Sequence, residues 1–247
     1  MLSIISPAKT MDFSNSDDSG ELCNFLPETN ILLDELKAFS ITRLRSIIET
    51  SEKLSKLNFD RYQNFDRLPS KPAIYAYNGD VYSKIDRAFS KDQIKFLKKH
   101  VGIISGLYGL LGPMDKIRPY RLEMKARLPI SAQNGLSVFW QKTITESLKD
   151  KISKHKNKIL INLASKEYSK AIDRKNLRVP VVDIHFMENR GDVLKNIPIN
   201  AKRARGMMLN YIIKNEIDDL DGLKKFNANG YEFSSSNSTE SNFFFLK

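Results

Sequence analysis

Apolar residues in this chain fall into short runs that polar turn residues cut off. Leu2–Ser6, Ala73–Tyr77, Val101–Ser105, Ile159–Leu163 and Val179–Phe186 each read as a strand. Helical patterns lie between them. Ile31–Phe39 and Ile41–Thr50 repeat Leu and Ile at three- and four-residue spacing. Ser90 caps a helix running to about His100, with Gln93 at the capping-box position. Val138–Lys154 is a long amphipathic helix whose lysine-rich end suits the helix dipole. Ser165–Ile172 and Ala201–Asn215 are the remaining helices. Near the C-terminus, Tyr231-Glu232-Phe233 and Phe243–Leu246 read as a hairpin across the polar stretch Ser234–Ser241. Ser14–Gly20 is a polar loop. Strands alternate with helices and no linker or repeat divides them. The expected fold is therefore mixed α/β (α+β), a mixed sheet flanked by helices in one domain over residues 1–247.

Charge narrows the partners. Residues 41–215 hold 35 bases against 16 acids, a net +19 within a whole-chain +11. Such a field attracts polyanions, and nucleic acid is the expected partner. Solvated lysine-rich helix faces are the plainer alternative. Cys23 is the only cysteine, so the chain can form no internal disulfide and no thiolate cage. His100, His155 and His185 lie far apart with no helical i, i+4 pair, so the sequence offers no metal signature. No cofactor is expected. No apolar run has membrane-helix length, and the N-terminus has neither a basic region nor a long apolar one. A cytoplasmic protein without a membrane partner is expected. Oligomeric state stays open, with a monomer favoured.

Polar residues gather after the strand-like runs. Ser6-Pro7-Ala8-Lys9-Thr10 follows the first, Asn78-Gly79-Asp80-Val81-Tyr82 the second, Ser105–Gly109 the third, and Asn162–Tyr168 the fourth. Carboxyl ends of strands line the ligand crevice of α/β sheets. Ser6, Thr10, Tyr82, Asn162, Ser165 and Tyr168 are thus candidate pocket residues; individually they are also ordinary turn and capping residues. In Arg118–Met124, Arg118 and Arg121 offer forks for phosphate and Tyr120 a face on which a base can stack. Glu123 is also placed to pair with an arginine, which would make that stretch structural. Lys202, Arg203 and Arg205 open the Ala201 helix, where basic side chains oppose the dipole and a phosphate would meet free backbone N–H groups. Together with Lys9, these are the candidate phosphate contacts. Ser51–Phe65 reads as a helix ending near Leu54, a turn at Lys56-Leu57-Asn58, and a second helix from Phe59, an outline compatible with a helix–hairpin–helix that lacks its usual glycines. Trp140 and Cys23 are expected in structural roles.

Taken in order, these motifs resemble the YaaA family of bacterial peroxide-stress proteins. They are Ser6–Thr10 with Asp12, Gly79–Tyr82, Ser105–Gly109 leading to Arg118–Met124, Asn162–Ser165 with Glu167-Tyr168, Ala201–Gly206, and Gly230-Tyr231. The likeness covers nearly the whole chain. It implies a cytoplasmic bacterial protein of the hydrogen peroxide response that limits damage by unincorporated iron. It also implies DNA binding through an unusual α/β fold with a basic cleft and a helix–hairpin–helix. Three functional readings follow. The first is a DNA binder held mainly by backbone contacts. The second is an enzyme acting on a nucleotide or nucleic acid in the strand-end pocket, with Asp80 or Glu123 as acid/base candidates. The third is a non-enzymatic scaffold or iron-handling protein.

Overall fold

Serine side chains start several helices. Ser40, Ser51 and Ser90 each accept a hydrogen bond from the backbone N–H three residues on, and Gln93 returns the bond to Ser90 as the capping-box spacing predicts. The structure, a computed structural model, describes residues 1–16, 19–130, 135–191 and 193–247. Asp17 and Asp18 of the expected polar loop lie outside the described residues. Its elements run β1 (Leu2–Ile5), β2 (Thr10–Met11), α1 (Leu26–Ala38), α2 (Ile41–Ile48), α3 (Glu52–Gln63), β3 (Lys71–Pro72), α4 (Ala73–Ala76), β4 (Tyr77–Asn78), α5 (Lys91–His100), β5 (Val101–Ser105), β6 (Gly109–Leu111) and β7 (Lys116–Ile117). They continue with α6 (Leu136–Ser153), β8 (Leu160–Asn162), α7 (Lys166–Ser169), α8 (Arg174–Leu177), β9 (Val181–Arg190), β10 (Val193–Lys195), α9 (Pro198–Lys214), α10 (Leu220–Lys224), β11 (Glu232–Phe233) and β12 (Asn242–Leu246).

The main sheet orders its strands β11-β12-β9-β8-β1-β5-β6, with β10 paired to β9. The inner strands β12, β9, β8, β1 and β5 are mutually parallel, and the pairs β5–β6, β9–β10 and β11–β12 are antiparallel. This is the expected mixed sheet, closed at one edge by the expected C-terminal hairpin. All of β1 is buried, whereas β9, which also lies between two parallel neighbours, alternates half-buried and buried positions up to its exposed end. Trp140 of α6 is fully buried, donates its indole N–H to the Gly106 carbonyl at 2.9 Å, and packs on Gly109. It is a core residue, as expected. Cys23 is also buried.

Two local readings are corrected. Ala73–Tyr77 forms a four-residue helix between two-residue strands, and not a strand of the main sheet. Pro72 lacks a donor and precedes it, and the N–H groups of Ala73 and Ile74 are taken by the carbonyls of Asp115 and Pro113. The turn placed at Lys56-Leu57-Asn58 is also absent: α3 runs unbroken through it, with Asn58 buried and its amide bonded back to the Leu54 carbonyl. The chain reverses instead at Glu49–Ser51, where Glu49 takes a left-handed conformation (φ 47°) and Ser51 caps α3.

Asp115 carries the clearest pH dependence. Its carboxylate is buried beneath its own turn and accepts the Gly112 N–H at 2.9 Å. Burial pushes its pKa up from 3.8 to about 6, against the pull of that hydrogen bond and of Lys151. The native state thus holds a proton more readily than the unfolded chain. This group costs nothing well below about pH 4, where both states are protonated. Its cost grows as pH rises through 6 and then levels at roughly 3 kcal/mol. Asp115→Asn keeps an acceptor for Gly112 and should remove most of that slope. Urea unfolding at pH 4 and pH 7 measures it; equal slopes in variant and parent would refute the assignment.

Candidate functional site

The sheet itself selects the place for a cleft. From β1 the chain passes to β5 on one side and later to β8 on the other, so the connections diverge between β1 and β8. At such a switch point the loops leave a crevice beyond the carboxyl ends of the strands. A cavity of about 430 Å³ opens there, lined by Ser6–Thr10 after β1, Asn78–Val81 after β4, Leu163, Ser165, Glu167 and Tyr168 after β8, and Lys202 and Arg205 of α9. Three of the four polar strand ends singled out from the sequence therefore meet. Ser6 Oγ accepts the Ser165 N–H at 2.9 Å and pins the two loops together. Thr10 Oγ1 donates to the Asn78 carbonyl and closes the small β2–β4 ribbon at the rim.

The remaining strand end, the third in sequence, is elsewhere. Ser105–Gly109 is a buried hairpin turn, in which Ser105 Oγ accepts the N–H groups of Leu107 and Tyr108. Tyr120 is 3% exposed, and its hydroxyl lies 2.7 Å from that of Tyr77 and 2.6 Å from Ser105 Oγ. The ring expected to stack on a base is thus sealed inside the fold by a chain of hydroxyls. Arg118 donates to the Leu68 carbonyl and does not line the cavity. Asn162 and Tyr82 are likewise struts. Asn162 donates to Asp183 Oδ1 at 2.6 Å and accepts the Ala164 N–H; Tyr82 is buried and donates to the Ser6 carbonyl at 2.9 Å.

The charged candidates divide by partner. Glu123 is buried and takes both Lys9, at 2.9 Å, and Arg121, at 3.2 Å. The pairing that would make Arg118–Met124 structural is therefore present. Asp80 at the rim faces Arg203 at 3.4 Å. Lys202 is exposed at the cavity. Arg205 differs from the rest. It is half-buried, lines the cavity, and has neither an ion pair nor a hydrogen bond among the described residues; its Nε is fully buried without a partner. Burial pulls its pKa below the ordinary arginine value. The basic group does not open α9, as the sequence suggested. The helix starts at Pro198, so residues 202–205 sit past its first turn, where the backbone N–H groups are already bonded within the helix. The side chains of Lys202 and Arg205, not the backbone amides, face the cleft.

Sequence spacing missed a second cluster. His100 ends α5 and His155 follows α6, yet their rings meet with centroids 4.6 Å apart, beside Asp218. Burial pulls the His155 ring down to about 4 and lowers His100 as well. No sequence periodicity signals a pairing across such separations.

The fold and its cleft define a mixed α/β protein with an arginine-bearing crevice at a sheet switch point. Comparison with known proteins places it more narrowly. A family model described as "Peroxide stress protein YaaA" matches residues 1–237. UPF0246 proteins of Rickettsia bellii (strain OSU 85-389), Rickettsia felis and Crocosphaera subtropica are 47%, 44% and 40% identical over 250 residues, covering the whole of each chain. The chain belongs to the YaaA family of peroxide stress proteins. No described helix is long and apolar enough to cross a membrane.

Proposed function

We propose that this protein serves in the peroxide stress response as a DNA-binding protein, gripping the phosphodiester backbone in the cleft between β1, β8 and α9. Arg205 carries the reading. An arginine held half out of water with no acidic partner is costly unless a ligand supplies the anion. Its fork suits phosphate, and Lys202 stands beside it at the cavity. The +19 of residues 41–215 supplies the long-range attraction. The link to unincorporated iron follows from the family likeness, with DNA protection as the indirect route. A second reading, an enzyme acting on a nucleotide or nucleic acid, is favoured by the polar strand ends that meet at the cavity and by Asp80 at its rim.

Binding of labelled duplex, bubble and single-stranded DNA across a salt series tests both. A DNA binder should lose affinity linearly in a log–log salt plot, with a slope near −0.9 per phosphate neutralised on duplex. Replacing Lys202, Arg203 and Arg205 together by Ala should flatten that slope by about two to three. Absence of binding to all three DNAs at low salt would refute the DNA reading, and nucleotides would become the ligands to screen.

A further inference from the structure

We propose that His100, His155 and Asp218 form a binding site for one divalent ion of the zinc class, at the opposite edge of the sheet from the cleft. One ligand atom from each residue lies within 4.8 Å of the others. In a tetrahedral zinc site, bonds of about 2.0 Å set ligand atoms about 3.3 Å apart, so side-chain adjustments on the scale of 1 Å close the site. Two imidazoles and one carboxylate match the nitrogen and oxygen preferences of borderline first-row ions.

The surroundings hold these groups in place. His100 directly precedes β5, Met1 precedes β1, and His155 lies in the connection from α6 to β8, so three parallel strands fix the cluster at their amino-terminal edge. The Phe96 ring stacks on His100 with centroids 4.0 Å apart, and His100 Nδ1 lies 2.9 Å from the Met1 carbonyl and 3.5 Å from Asp218 Oδ1. Such outer contacts orient the rings that bind metals.

His155 supplies the independent observation. Its side chain is 4% exposed, and its Nδ1 is fully buried with no hydrogen-bond partner among the described residues. Buried ring nitrogens are ordinarily paired, and an ion would satisfy this one. Asp218 is 34% exposed and gives the ion its way in from solvent. Asp218 also accepts the Met1 ammonium, and Lys99 stands nearby. Both cations oppose a dication. Binding therefore either displaces the ammonium from Asp218 or releases its proton to solvent, leaving the amine as a further nitrogen donor.

The full chain with a free Met1 amine should be titrated with Zn(II) and with Co(II) at neutral pH. One equivalent of each should bind, and bound Co(II) should show intense visible absorption. His155→Gln and His100→Gln should each weaken binding by about 100-fold or more, whereas His185→Gln, stacked on Phe244 elsewhere, should not. Circular dichroism verifies that the variants fold. A readout on the unaltered protein needs no variant: Co(II) should shift the ring resonances of His100 and His155 and spare those of His185. Failure to retain either ion, or binding that leaves the His100 and His155 resonances unmoved, overturns the site without touching the DNA reading.

Discussion

Arg205→Met should weaken DNA binding by about 30-fold and raise the melting temperature of the ligand-free protein. The two effects share one cause. Methionine keeps most of the apolar stem and removes a buried donor that has no partner among the described residues. Relieving one unsatisfied buried group is worth about 1 kcal/mol or more, or about 2–4 °C for a chain of this size. In the proposed DNA complex the same guanidinium would pair with a phosphate, and losing a half-buried charge-assisted contact costs about 2 kcal/mol, hence the 30-fold. Fluorescence anisotropy at fixed salt, with calorimetry of the free protein, reads both. A melting temperature that falls while affinity holds would show Arg205 to be a packing residue.

Gly206→Ala should be the most damaging single methyl in the molecule. A Cβ at this position would lie 2.0 Å from the Val81 carbonyl oxygen, 2.9 Å from its carbon and 3.1 Å from Lys84 Cβ. The first two are backbone atoms and cannot swing aside. Helix α9 and the Asn78–Val81 turn form two walls of the cleft, and they touch through this glycine. The methyl must force the walls apart. Overpacking of this severity costs about 3 kcal/mol, which lowers the melting temperature by about 6–12 °C. The Asp80–Arg203 pair beside it should separate as well. Thermal unfolding of the variant decides the matter: a loss under about 2 °C would mean that α9 slides freely against the turn.

What the sequence made legible follows its short-range chemistry. The Ser90–Gln93 capping box and the hairpin of β11 and β12 each depend on nearby residues, and each is present. The cleft was legible because strand ends are marked by abrupt polar residues and parallel strands bring those ends together. Arg118–Met124 was harder. Its charges suggested a ligand, yet Tyr120, Leu122 and Met124 are all buried, an every-second-residue pattern that marks an inward-facing extended segment. That alternation was the available signal, and it outweighs the arginines. The start of α9 was misplaced because Pro198, a strong first-turn residue, was passed over for the basic run after it. The meeting of His100, His155 and Asp218 depends on sheet order alone, which no local pattern encodes.

The central position of β1 has a kinetic consequence. The first strand made is flanked by β5, about a hundred residues later, and β8, about sixty residues later still. At roughly 5–20 residues per second, the ribosome leaves Leu2–Ile5 without its β8 partner for about 10–30 s. Pairings so distant along the chain also close slowly, because loop entropy is lost before contacts form. The most apolar stretch of the N-terminus must therefore be shielded from other chains throughout synthesis, and folding of this protein should be limited by chain completion and long-range strand docking rather than by its quickly capped helices.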